Sequence, residues 1–450
     1  MSDDSRKRKP SMRQLQTKPM ARNWALTRLG VGTGARIAMH SVGNLFRNAE
    51  DRASGDREFY RAQAQVLADE LGQLKGSVMK AGQMLSLYGQ YFLPPEAVEV
   101  LTGLQDDTPP VDWSLIEPVI RRALGRRMSD LQIDQQPLAA ASLGQVHRAR
   151  RVSDGAELVL KVQYPGVADA IESDIRSLQR LIMMTRMAPS GLSMDPVFAE
   201  VREMLHREVD YALERRFTEE YAQWLSDDKR FAVPATFPEY CSDQVLATSF
   251  EAGLHVKHAE VQGLSQERRD ALGMAFLELF FREFFDWQTV QSDPHFGNYR
   301  VRIAEDGQDQ WVLLDFGATR VFGQGFVQDY SEMLWGALHG EPERIRQGAE
   351  AIGLMMSHYP DAVRQSFVEL WELVIEPFSG AEPYDWGASD LPQRVTNKIA
   401  RAALSRYFRV PPREIVFLHR RLAGVFIMLA TLRARISGRA LLERFDPSAS

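Results

Sequence analysis

Apolar residues recur at steps of three and four over most of this chain and at steps of two only in its middle. Leu67, Leu71, Leu74, Val78, Ala81 and Leu85 predict a helix over 59–89. After the proline-interrupted stretch "FLPPEAVEVL", a further helix is predicted at 113–124, and longer ones at 166–187 and 194–225. Residues 265–289 place Leu272, Ala275, Phe276, Leu279, Phe280 and Phe284 on one side of an amphipathic helix. Strand patterns fall between these helices. "LAAASLGQVHRARRV" and "AELVLKVQYPG" read as two strands joined at the hairpin signal Asp154-Gly155. "VLATSFEAG" (245–253) reads as a strand ending at Gly253, and "WVLLDFG" (311–317) as a strand running into a turn. Beyond Gln324 the pattern is helical, and no internal repeat is present. Strands in the middle with helices before and after predict an α+β chain, a small mixed lobe joined to a helical one.

Composition changes this picture little. The 450 residues are 44% hydrophobic and 25% charged, as in an ordinary globular protein. A net charge of −6 argues against nucleic acid as a partner. Cys241 is the single cysteine, so neither an intramolecular disulfide nor a cysteine-based metal site is available. No run reaches 18 apolar residues, and 422–432 and 274–287 read as core helices. No secretory signal is read at the amino terminus.

Charge matters locally. From Ser5 to Ala49 there is no acidic residue, while Arg and Lys recur among Trp24, Leu26, Leu29, Ile37, Leu45 and Phe46. Three readings stand: a disordered basic tail, an arm lying on an anionic membrane, or an organelle transit peptide, the last opposed by Asp3 and Asp4.

The candidate chemistry begins at "VQSDPHFGNYRV" (290–301), where Asp293 and Asn298 share one tight loop. Asp315 follows where the apolar strand of "VLLDFG" runs out. Mg²⁺ prefers carboxylate and amide oxygens, so Asn298 and Asp315 suit a metal that neutralises phosphate charge. A separate Asp can orient the attacking hydroxyl or water, and Asp-x-x-x-x-Asn is the spacing kinase catalytic loops use, which gives Asp293 that part. Phosphoryl transfer also calls for a lysine on a strand, and Lys161 in "LVLKVQ" meets that need. On a continuous 194–225 helix the stripe Val197, Val201, Met204, Glu208, Tyr211 turns Glu208 inward. An unpaired carboxylate there costs several kcal/mol, which predicts a Lys161–Glu208 pair. The turn ahead of Lys161, "AAASLGQVH" (139–147), allows close backbone approach to a nucleotide, and only its Gly144 takes positive φ cheaply.

Together "KAGQ" (80–83), "AAAS" (139–142), "LKVQYPGV" (160–167), "EVDYALE" (208–214), "SDPHFGN" and "LLDFGATR" resemble the UbiB/ADCK family of atypical kinase-like proteins, over roughly residues 20–440. The coenzyme Q biosynthesis branch is the most similar. The resemblance implies an atypical protein-kinase-like fold with two lobes. The small mixed lobe carries helical insertions, the large lobe is mostly helical, and a helical extension precedes both. The expected divisions are a basic arm at 1–55, an extension with the KxGQ motif at 56–130, an N-lobe at 131–252 and a C-lobe at 253–450.

The resemblance also implies roles. Ala139, Ala140, Ala141 and Ser142 would cover the nucleotide, and Lys161 would contact the α/β-phosphates and pair with Glu208. Asp293 would be the catalytic-loop Asp, and Asn298 and Asp315 would hold Mg. Lys80 and Gln83 would belong to a signature helix that folds over the site, with Asp210 completing a Glu-x-Asp motif. ATP and Mg are the implied cofactors, and ATP or ADP the ligand. Anionic or cardiolipin-like lipids, and ubiquinone precursors or their enzymes, are the implied partners, and a homodimer is compatible. The implied location is the cytoplasmic face of the inner membrane in a bacterium, or the mitochondrial inner membrane or matrix in a eukaryote. Between Gly317 and a helix expected near Phe326 there is no long activation segment and no Ala-Pro-Glu, which argues against ordinary protein-kinase activity. An ATPase supporting ubiquinone biosynthesis is the leading expectation. The alternatives are a phosphotransferase acting on a small molecule or lipid, and a nucleotide-gated scaffold with negligible turnover.

Overall fold

A computed structural model describes residues 80–82, 84, 85, 98, 110–141, 143–185, 194–380, 382–403, 405, 407, 409 and 411–446. The basic arm, most of the helix predicted at 59–89, Gln83 and Ser142 lie outside the described residues. Two compact units divide the chain: one reaches to Arg216 and takes in Ala235–Phe250, the other comprises Phe217–Pro234 and the chain from Glu251.

In the first unit, residues 80–82, 84 and 85 are helical, and helix α1 (Trp113–Leu124) is capped by the Asp112 side chain, which accepts the Ser114 N–H. Strands β1 (Leu131–Ala140), β2 (Gly144–Arg151) and β3 (Glu157–Gln163) follow, with Gly155 at φ 75° in the predicted hairpin. Helices α2 (Val167–Thr185) and α3 (Asp195–Glu208) come next, then α4 (Tyr211–Trp224), whose residues from Phe217 onward count with the second unit. The chain then makes β4 (Phe231–Ala232), part of the second unit, and returns as β5 (Val245–Ser249). Strands β1, β2, β3 and β5 form one antiparallel sheet in that order.

Alternation along β3 decides what each face of this sheet does. Leu158, Leu160 and Val162 are fully buried and lie opposite Ala149, His147 and Gln145 of β2. That face meets the start of α1: the Gln145 side chain accepts the Val111 N–H at 2.9 Å, and the Trp113 ring meets His147 edge-on. Lys161 therefore projects from the opposite face.

One local expectation is corrected. The helix predicted over 194–225 is two helices, broken at Val209-Asp210. Asp210 supplies a side-chain oxygen to the Leu213 N–H at 2.9 Å and so caps the start of α4. Gly144, the residue of its turn able to take positive φ cheaply, is not among the glycines that adopt it. It is needed for close approach instead: a Cβ there would stand 2.4 Å from the Val162 carbonyl oxygen on β3.

The second unit is mostly helical. Helix α5 (Gln266–Phe281) runs through a π turn at 282–286 into β6 (Thr289–Gln291). Strands β7 (Tyr299–Arg302) and β8 (Gln310–Leu313) pair antiparallel, β4 adds to β8 in parallel, and β9 (Thr319–Val321) pairs with β6. Helices α6 (Gln324–His339), α7 (Pro342–Ala351), α8 (Asp361–Val374), α9 (Leu391–Ala403) and α10 (Arg413–Leu432) follow. A pair of two-residue strands, 384–385 and 435–436, interrupts the helical pattern expected beyond Gln324. Among the described residues α10 is long and apolar enough to cross a membrane, but 56% of its most apolar window is buried in the protein. It packs on α5 and reaches the loop after β6, as a core helix does. The chain is thus α+β, with its four-stranded sheet in one unit and most of its helices in the other.

Candidate active site

In the first unit, Lys161 sits mid-strand on β3, between Val146 of β2 and Leu246 of β5. Its Nζ donates to both carboxylate oxygens of Glu214, at 2.6 and 2.8 Å. The Tyr211 ring lies 5.5 Å from the ammonium. Glu214 is 3% exposed and Lys161 21%.

The expected Lys161–Glu208 pair is therefore corrected: Glu208 accepts from Lys80 Nζ at 2.7 Å. The cause is the break at Val209-Asp210. It ends α3 at Glu208 and resets the helical phase. In α4 the buried stripe is Tyr211, Glu214, Phe217, Thr218 and Tyr221, at steps of three and four. Glu214 takes the inward position that periodicity, carried across the break, assigned to Glu208.

The two carboxylates predict different costs. Breaking a buried pair by removing one partner is strongly destabilising, so Glu214→Gln is expected to cost about 3 kcal/mol, the low end because Lys161 keeps some solvent. Glu208→Gln, at a carboxylate that is 28% exposed against 3% for Glu214, is expected to cost under ~1 kcal/mol. Chemical denaturation of the two variants checks this. Equal losses would sink the assignment of Glu214 as the partner of Lys161.

Ala139 and Ala140 end β1 and are exposed, opposite Val146 and Gln145. Ala141 leaves the strand and closes the turn with its N–H on the Gly144 carbonyl at 2.8 Å.

In the second unit, the loop between β6 and β7 carries Asp293 and Asn298. Asp293 Oδ1 accepts from Arg420 of α10 at 2.6 Å. The Asn298 amide nitrogen donates to the Asp293 carbonyl at 3.1 Å and to its Oδ2 at 3.3 Å. With its nitrogen turned to Asp293, Asn298 keeps its carbonyl oxygen as the group suited to a cation. The Leu314 N–H donates to the Asn298 backbone carbonyl, not to the side-chain oxygen, at 2.9 Å, which ties Asn298 to the residue before Asp315. Asp315 accepts the Gly317 N–H at 3.0 Å, and the buried Phe316 ring packs against Tyr221 with centroids 4.6 Å apart.

Among the described residues no group of three or more His, Cys, Asp or Glu comes together to hold a metal by itself. An Asp and an Asn suit Mg²⁺ bound largely through nucleotide phosphates and water, since that ion rarely uses an all-protein cage.

Sequence reasoning missed Glu214 and Arg420. For Glu214 a signal existed in the capping potential of Asp210. For Arg420, 127 residues away from Asp293, no local signal exists.

Comparison with known proteins identifies the family. The profile of the ABC1 atypical kinase-like domain matches residues 103–349. The chain is 31% identical over 449 residues to atypical kinase COQ8B, mitochondrial, of Rattus norvegicus, covering 98% of this chain and 82% of the rat protein. It is 31% identical to atypical kinase COQ8, mitochondrial, of Schizosaccharomyces pombe, covering 84% of this chain and 62% of the relative. Among solved structures, the complex of Rv3197 with erythromycin from Mycobacterium tuberculosis matches with a TM-score of 0.60 and 26% identity, over 89% of this chain and 99% of that one.

Proposed function

Because the chain belongs to the ABC1 atypical kinase-like family, we propose that it is a Mg-dependent ATPase supporting ubiquinone biosynthesis at a membrane surface. The observation that carries the reading is the loop geometry around Asn298. Asp293 holds the amide nitrogen, so the oxygen serves the metal, and Arg420 fixes the Asp293 carboxylate. Asp293 orients the nucleophile, and Asn298 with Asp315 holds Mg²⁺. Lys161, oriented by Glu214, takes the α/β-phosphate contact, and Ala139, Ala140, Ala141 and Ser142 the cover. Lys80 is positioned by Glu208 rather than reaching for phosphate itself, and Gln83 belongs to the same KxGQ motif.

Helix α6 begins at Gln324, close behind Gly317, which leaves little chain for docking a peptide. A small-molecule or lipid acceptor, or water, suits that better than a protein. The names of the relatives place them in mitochondria. For this chain we place the work at the inner membrane, with the basic arm meeting anionic or cardiolipin-like lipid.

The test is phosphate release from MgATP by the full chain, alone and with cardiolipin-containing vesicles and a quinone-like phenol. Release that rises with vesicles and phenol is expected. Label transferred to the phenol or lipid would favour a phosphotransferase. Nucleotide binding without any release would favour a scaffold and end the ATPase reading.

A further inference from the structure

Gln291, the last residue of β6, is 3% exposed, and its side chain meets both loops of the candidate site. Its Oε1 accepts the Asp293 N–H at 3.0 Å, and its Nε2 donates to the Asp315 carbonyl at 3.2 Å. One amide thus spans the residue that orients the nucleophile, Asp293, and the residue that holds metal, Asp315, which lies 24 positions beyond Gln291 in sequence. A carboxamide can do this from one planar group, because it offers a donor and an acceptor together.

The amide is itself held. Oε1 also accepts the Tyr299 hydroxyl at 3.1 Å. Arg421 of α10 donates to that hydroxyl at 2.8 Å and to Glu283 Oε2 at 3.0 Å. Arg421 and Glu283 are 0% and 1% exposed. Glu283 further accepts from Tyr221, whose ring backs Phe316. Burial pushes the Glu283 carboxyl up, and the Arg421 guanidinium opposes that shift. Beside this chain, α10 seats the loop closely: a Cβ at Gly424 would fall 1.9 Å from Pro294 Cβ. A buried ion pair at the end of a hydrogen-bond chain fixes geometry more than it adds stability.

We propose that Gln291 is a positioning residue: its amide, anchored through Tyr299 to the Arg421–Glu283 pair, sets Asp293 and Asp315 in register with each other. The proposal rests on the functional reading given above for those two carboxylates.

Gln291→Met keeps the shape and removes both polar contacts. Gln291→Glu keeps the acceptor toward Asp293 and loses the donor toward Asp315. Hydrogen exchange followed by mass spectrometry on the full chain reads the register without needing activity. The methionine variant is expected to exchange about tenfold faster over both 291–299 and 313–319, and the glutamate variant over 313–319 alone. In MgATP turnover, Gln291→Met is expected to lose about 10- to 100-fold in kcat with KM changed under about threefold, as misplacement of a reacting group does. If Gln291→Met does not fold, Tyr299→Phe, one oxygen smaller, carries the same expectation for 291–299 and for kcat. Parent-like exchange over both segments, or full kcat in a variant whose exchange has risen, would overturn the proposal. If the parent hydrolyses no ATP while the exchange pattern appears as expected, the functional reading fails and the strut stands.

Discussion

Asp293→Asn is expected to lower MgATP turnover by about two to four orders of magnitude while leaving nucleotide affinity within about threefold. Asparagine matches the carboxylate in shape but accepts no proton. Its oxygen can still meet Arg420, so the loop keeps one of its anchors, while the charge that opposes the guanidinium is gone. Arg420 is 28% exposed in the pair, so solvent tempers the loss and the fold survives it. An effect on kcat without an effect on affinity marks an interaction made in the transition state. Phosphate release and a nucleotide titration on the same preparation separate the two. Turnover equal to the parent would remove Asp293 from the chemistry.

Asp315→Asn should act on binding instead. A neutral amide is a weaker Mg²⁺ ligand than a carboxylate, and the expected loss in MgATP affinity is about tenfold or more, at least ~1.4 kcal/mol. The turn should persist, because asparagine Oδ1 can accept the Gly317 N–H, and Gln291 contacts only the backbone of residue 315. Mg-free ATP should bind parent and variant alike. An unchanged thermal shift by MgATP in the variant would show that residue 315 holds no metal.

The fold class was legible because period-two and period-3.6 patterns segregate along the chain. The helix at 113–124 appears with the bounds its apolar spacing indicates, and the hairpin turns at Gly155 as Asp-Gly demands. Lys161 was legible as a strand residue, and alternation on β3 turns it away from the face that α1 covers. Its partner was not legible from periodicity alone. A stripe is informative only within one helix, and Asp210, read as part of a motif, is also a cap that starts a new one. Glu214 then follows from restarting the count at Tyr211.

The supports of the catalytic loop lie further out of reach. Arg420, Arg421 and Gly424 sit on a helix more than 100 positions downstream, and nothing in "HRRLAGVF" says which loop it will seat. Gln291 read as a strand residue flanking the loop. Only the pairing of β6 with β9, which brings Gln291 opposite Thr319, sets its amide beside the Asp315 backbone.

The most direct measurement is a melting titration of the full chain with ATP, in Mg²⁺ and again in EDTA. At 100-fold excess over Kd, a ligand bound only by the folded state adds about 2.7 kcal/mol. The account predicts a concentration-dependent rise in Tm with MgATP, and a rise with ATP in EDTA that is smaller by several degrees. No rise in Mg²⁺, or the same rise in EDTA, would contradict a Mg-dependent nucleotide site built on Asn298 and Asp315.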